Sequence, residues 1–147
     1  MSVDNILIRE LKIEDADEVR KINSAITQKP SQIDFKRIIE EYAGKKENAC
    51  FVAELQGKVV GYMISYILAG GFGVEKSAWI PMVGVDPKFM GRSIGKRLAQ
   101  EIFNFYKKAG IKNIYTSVSW DSADLLSFFK TLDFDGSRFI NLRKVLE

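Results

Sequence analysis

The chain has 147 residues, 46% hydrophobic and 28% charged, with a formal net charge of +3. That balance fits one soluble globular domain spanning 1–147 and is too weakly basic to imply a nucleic-acid partner by itself. It contains no histidine and one cysteine, Cys50, which excludes His-built zinc sites, Ser-His and Cys-His nucleophiles and an internal disulfide, and points to a reducing cytoplasm.

No apolar run reaches the roughly 18 residues of a membrane span. The first ten residues lack the basic-then-apolar order of a secretory signal, so no leader is expected. Any acid–base chemistry falls to carboxylates, Tyr, Lys, Cys or water.

Residues 6–11 read as a first strand. Residues 14–26 read as a helix, with Ala16, Val19, Ile22 and Ala25/Ile26 at helical spacing and Asp15 and Asp17 suited to its first turn. Pro30 breaks that pattern, and 31–42 form a second helix on Phe35, Ile38, Ile39 and Tyr42. Its acidic residues Asp34, Glu40 and Glu41 read as solvated. Residues 49–55 and 59–68 are two strands joined by Gln56-Gly57-Lys58, a hairpin signal. Cys50 opens the first of these as a packed core thiol, since no base partner is visible. The glycines from Gly70 to Gly73 make a flexible turn, and 78–85 form a fourth strand. Pro81 cannot donate to a ladder and Gly84 is a poor strand former, so this strand is expected to bulge or to admit another backbone closely.

A glycine-containing loop follows Asp86-Pro87 and leads into a helix over 93–109 with Ile94, Leu98, Ile102, Phe105 and Ala109 on its core face. Strand, glycine loop and helix N-terminus together form an anion cradle of backbone N–H groups. Arg92, Lys96 and Arg97 add charge beside it. From 88 to 112 there are seven basic residues against one acidic. Residues 114–120 alternate strictly and read as a fifth strand. Asp121 or Ser122 caps a helix running to 132, with Asp124 in its first turn. Residues 139–146 read as a last strand. Trp79 and Trp120, at strand ends, read as core packing or as the lining of a pocket. The element order gives an α/β chain of the α+β type, a mixed sheet with helices on its faces.

That order, with the glycine loop after the fourth strand, resembles the GNAT superfamily of acetyl-CoA-dependent N-acetyltransferases. The superfamily signature is [Q/R]-x-x-G-x-[G/A] after a strand ending V-x-P. Here Val85-Asp86-Pro87 supplies the strand end and Met90-Gly91-Arg92-Ser93-Ile94-Gly95 occupies the signature. Met90 stands for the usual Gln or Arg, Ser93 for the first Gly, and Gly95 matches. The segment from Ser122 to Phe134 is similar in pattern to a second family element, with Phe129 where a Tyr is usual and Asp133 where a Gly is usual.

The resemblance implies a GNAT acyl-CoA N-acyltransferase fold of six to seven strands flanked by four helices. It implies acetyl-CoA as cosubstrate, no metal, and no nucleic-acid or membrane partner. The N–H groups of Gly91, Arg92, Ser93, Ile94, Gly95 and Lys96 would cradle the pyrophosphate, and Val83, Gly84 and Val85 would pair with the pantetheine arm. Ser122 and Phe129 would complete the cofactor site. The reaction implied is acetyl transfer to a primary amine of a small molecule, a protein N-terminus or a lysine, by direct attack in a ternary complex.

The usual catalytic Glu positions hold Trp79 and Ser117, and the usual Tyr is Phe129. Three routes stay open: positioning alone, with an oxyanion held by an N–H such as that of Val83; replacement by other side chains; or acyl-CoA binding without turnover, as in a sensor. The replacement candidates are Tyr115, Ser117 and Asp121 as catalytic residues, with Ser119, Tyr62 and Tyr66 nearby in the strands. The 70–73 turn would border the acceptor site, and a homodimer is left open. A P-loop is excluded by spacing, because Gly91 to Lys96 is one residue short and Arg97 replaces the Mg²⁺-binding hydroxyl. The aromatic residues of the basic helix (Phe103, Phe105, Tyr106) fall on or beside its core face and form no exposed stacking platform.

Overall fold

The hairpin at Gln56-Gly57 sets the register of the sheet. Both residues have positive φ, +52° and +81°, the pattern of the tight two-residue turn that matches strand twist. In the computed structural model, which describes residues 5–147, this turn joins β2 (Cys50–Leu55) to β3 (Lys58–Leu68). Residues 1–4, part of the stretch read above for a leader, lie outside the described residues.

The chain falls into two compact units, one through Thr116 and one from Ser117 to Glu147. The first holds β1 (Ile6–Glu10), α1 (Ala16–Thr27), α2 (Phe35–Ala43), β2, β3, β4 (Ser77–Val85), α3 (Ile94–Lys108) and β5 (Ile114–Thr116). Its sheet has the order β1-β2-β3-β4-β5, antiparallel except for the parallel pair β4–β5. The second unit holds α4 (Ala123–Thr131).

Side chains alternate across the pleat. Cys50, Val52, Tyr62 and Ile64 share one face and form the core with Val19 and Ile22 of α1 and Phe35 and Ile39 of α2. The opposite face receives α3. A Cβ on Gly61 would lie 2.9 Å from Ile94 and 3.4 Å from Leu98, so glycine lets the start of α3 settle on β3. Helix α3 ends with Gly110 at φ +81°. Gly110 N–H donates to Lys107 O and Ile111 N–H to Tyr106 O, which satisfies carbonyls the helix end leaves over.

Two polar clusters brace the first unit, one buried and one partly buried. Tyr106 Oη lies 2.7 Å from Ser65 Oγ and accepts the Ala49 N–H, while the Ser65 hydroxyl donates to the Ala49 carbonyl. Cys50 sits beside them, its thiol pushed up to about 11 by burial, the inert packed thiol that its sequence context indicates. Asp15 is 5% exposed and takes both arms of the Arg9 guanidinium at 2.8 and 2.9 Å, together with the Lys12 N–H. Arg9 also reaches Glu54 at 2.9 Å. This bidentate clamp ties β1 to the entry of α1.

Several sequence expectations are corrected. The second helix starts at Phe35, because Asp34 accepts the Arg37 N–H as its cap and Ser31 Oγ takes the Ile33 N–H. The fifth strand stops at Thr116, because β4 bulges after Ile80 and offers no continuous ladder beyond it. Residues 139–146 join no ladder, so the described sheet has five strands where six to seven were expected. Alternation alone does not make a strand without a neighbour to hydrogen-bond. Trp120 is 91% exposed, in a turn and not in a core. Among the described residues, no helix is long and apolar enough to cross a membrane, and no group of three or more His, Cys, Asp or Glu could hold a metal.

Candidate active site

Strand β4 changes phase at the bulge. Ile64 pairs with Met82 but Tyr66 pairs with Trp79. One β3 residue, Ser65, therefore faces two on β4, Ile80 and Pro81. Pro81 sits where a missing N–H breaks no ladder bond. Before the bulge, Ala78 N–H donates to Asn113 O and the Ile80 carbonyl accepts the Thr116 hydroxyl at 2.7 Å. Pairing with β5 ends there.

After the bulge, Asp86 N–H donates to Val60 O at 2.8 Å. Antiparallel ladders alternate bonded and non-bonded pairs. That bond makes Tyr62–Gly84 and Ile64–Met82 the bonded pairs, and turns the N–H and C=O of Val83 and Val85 to the edge that β5 leaves open. Gly84, grouped with the two valines on sequence grounds, directs its backbone to β3 instead. Its hydrogen side is covered by Tyr62, whose ring would lie 2.7 Å from a Cβ there. The Tyr62 hydroxyl is raised by burial, against a hydrogen bond with Asn23.

At the end of this open edge the chain turns through Gly91 at φ +82° and Ser93 at φ +61° into α3. The first helical bond is Arg97 N–H to Ser93 O, 3.0 Å. The N–H groups of Ile94, Gly95 and Lys96 precede it and have no partner within the helix. Ser93 makes no side-chain cap bond. Its left-handed backbone is one that glycine adopts without strain, in line with the glycine at this place in the signature that the sequence resembles. Ser93→Gly should therefore stabilise the fold by about 0.5–1 kcal/mol: relief of roughly 1–2 kcal/mol of left-handed strain exceeds the entropy that glycine loses. Urea unfolding of the two proteins measures the difference.

Arg92 lies 5.2 Å over the Phe89 ring, and Lys96 is exposed. Arg97 is engaged elsewhere: its guanidinium donates to the Ile6 carbonyl at 3.1 Å and braces β1. The cradle's charge thus rests on Arg92, Lys96 and the helix terminus. Backbone N–H donors, an open glycine turn and two cations are a donor set for an anion. An adjacent unpaired strand edge suits an amide-bearing chain. The residues present fit coenzyme A.

The catalytic candidates are distributed between the units. In the first, Tyr115 stacks on Trp79 with ring centroids 4.7 Å apart. In the second, Ser117 Oγ accepts the Asn141 side-chain N–H at 3.0 Å. Asp121 accepts the Ser119 hydroxyl, which holds its carboxyl below the usual range. Ser117 and Asp121 are thus tied to Asn141 and Ser119 and not to each other. Ser122 precedes α4 without a side-chain cap bond, and Asp121 does not cap the helix either. Phe129 packs edge-on against Phe128 and Phe134 at 5.1 and 5.0 Å.

The model of the acetyltransferase (GNAT) family matches residues 16–134, and the chain belongs to that family. A mycothiol acetyltransferase of Amycolatopsis mediterranei is 29% identical over 129 residues, covering 82% of this chain and 43% of that protein. An uncharacterised N-acetyltransferase of Methanocaldococcus jannaschii is 31% identical over 96 residues, covering 62% of this chain and 41% of that protein. The matched part spans less than half the length of these relatives. Among solved structures, an aminoglycoside acetyltransferase from an uncultured soil metagenomic sample superposes with a TM-score of 0.81 at 21% identity, over 99% of this chain and 100% of that one. The aminoglycoside N-acetyltransferase AAC(6')-Iy in complex with CoA gives 0.77 at 18% identity, over 95% and 94%. These structural likenesses establish the fold.

Proposed function

We propose that the chain transfers an acetyl group from acetyl-CoA to a primary amine by direct attack in a ternary complex. The open edge of β4 leading into the α3 cradle carries this reading. The pyrophosphate would be held by the N–H groups of Gly91 to Lys96 with Arg92 and Lys96. The pantetheine amides would pair with Val83 and Val85. The N–H of Val83 would donate to the thioester oxygen. Acetyl-CoA supplies the activated acetyl group. The family match crosses the boundary between the two units, which supports reading them as one acetyltransferase domain. The exposed Ile140, Leu142 and Leu146 support association with a second copy of the chain.

This chain's own contribution is positioning, which can supply most of the rate without a strong base. There is no histidine, and Asp121, already ionised well below neutral pH, is too weak a base for an ammonium ion. The acceptor amine is therefore used in the neutral form it already has in water. The expected kcat/KM rises tenfold per pH unit up to the acceptor's own pKa, about 8 for an α-amine and about 10.4 for a lysine. Thiol release measured from pH 6 to 10 with one α-amine and one alkylamine checks this. A shared inflection near pH 6–7 for both would identify an enzyme base and overturn it. Acetyl-CoA binding with no thiol release for any amine would favour the sensor reading.

A further inference from the structure

Past the core on the α1/α2 face lies a row of aromatic rings. Tyr66, Trp79 and Tyr115 are direct neighbours across β3, β4 and β5. Tyr42 of α2 stacks on Tyr66 at 5.1 Å and 18°, and Phe72 lies 5.5 Å from Trp79. The Trp79 Nε1–H donates to Ser77 Oγ at 3.0 Å, which fixes the indole plane. Four of the rings are half-buried, and Phe72 is 70% exposed.

Phe72 is the informative member. Its backbone is left-handed, φ +55°, between Gly70 at +74° and Gly73 at +69°. A bulky side chain is strained there, and at 70% exposure it recovers little by burial. Strain of this kind marks a residue held for its side chain. Three glycines place that ring over Trp79.

We propose that this row is the acceptor-recognition surface, and that the acceptor is an amine carried on a planar aromatic body. The inference rests on the acetyltransferase reading and names its substrate class. Row and open edge share β4 and are separated only by the bulge at Ile80–Pro81. The opposite face of the sheet is filled by α3. None of the five side chains is a carboxylate or a cation; Tyr42 with Tyr66 and Trp79 with Tyr115 stack in pairs and Phe72 lies against Trp79, so the row is a run of rings that an aromatic acceptor would extend.

The test is calorimetric titration of the full chain with acetyl-CoA, and with 2-phenylethylamine and n-hexylamine in the presence and absence of coenzyme A, for wild type and Phe72→Gly. These amines match in charge and differ in the ring. The expected result is about tenfold tighter binding of phenylethylamine by wild type. Phe72→Gly should lose that preference, with acetyl-CoA affinity unchanged and melting temperature equal or higher. A row that serves only packing would instead melt lower in Phe72→Gly. Equal binding of the two amines by wild type, or an unchanged preference in Phe72→Gly, overturns the proposal. Failure of the acetyltransferase reading would show separately, as absence of acetyl-CoA binding in the same titrations.

Discussion

Gly95→Glu should weaken acetyl-CoA binding by at least about 100-fold while leaving the fold intact. Gly95 is the second residue of α3. A carboxylate in the first turn suits the helix dipole and is worth roughly 0.3–1 kcal/mol to the helix, so circular dichroism and melting temperature should hold. The same carboxylate would stand where the N–H groups of Ile94, Gly95 and Lys96 meet the pyrophosphate, and would repel it. Unchanged affinity in a folded Gly95→Glu protein would remove the cradle from the cofactor site.

The largest effect on stability should come from Asp15→Ala. Burial pushes the Asp15 carboxyl up, but the Arg9 guanidinium and the Lys12 N–H outweigh it and hold it below its ordinary value of 3.8. Arg9 is raised in turn, chiefly by its hydrogen bond to Asp15. Removing the Asp15 carboxylate takes two charge-assisted hydrogen bonds from Arg9 and one from the Lys12 N–H, a loss of about 2–3 kcal/mol. Arg9 retains Glu54, which limits the loss.

The pH dependence has a definite sign. A carboxyl depressed in the folded state contributes stability above its unfolded value and loses it as pH falls through the folded one. The gap between wild type and Asp15→Ala in urea unfolding should thus be full at pH 7 and narrow below about pH 3.8. A gap that stays constant down to pH 2.5 would contradict the ionic account of the clamp.

The cradle was legible in the sequence because its signals are local: Pro87 after the strand, Gly91 in the turn, and apolar residues at helical spacing from Ile94. Pro81 likewise marked the bulge, whereas Gly84 lies in regular register and makes room for the Tyr62 ring. The division of labour among Val83, Gly84 and Val85 was not legible, since it depends on where the bulge shifts the ladder's phase. Arg97 looked like part of the cradle because spacing along a helix does not say which carbonyl, here that of Ile6, lies within its reach. The aromatic row was hidden for the same reason. Tyr66, Trp79 and Tyr115 become neighbours only through a register that spans three strands. The strand expected over 139–146 joins no ladder, which only the sheet's pairing reveals.

The open edge of β4 and the N-terminus of α3 are expected to form a coenzyme A site. Calorimetric titration of the full chain with acetyl-CoA, and separately with ATP and Mg²⁺, tests it most directly. The predicted result is saturable one-to-one binding of acetyl-CoA with a raised melting temperature, and no stabilisation by ATP with Mg²⁺. Stabilisation by the nucleotide but not by acetyl-CoA would contradict it.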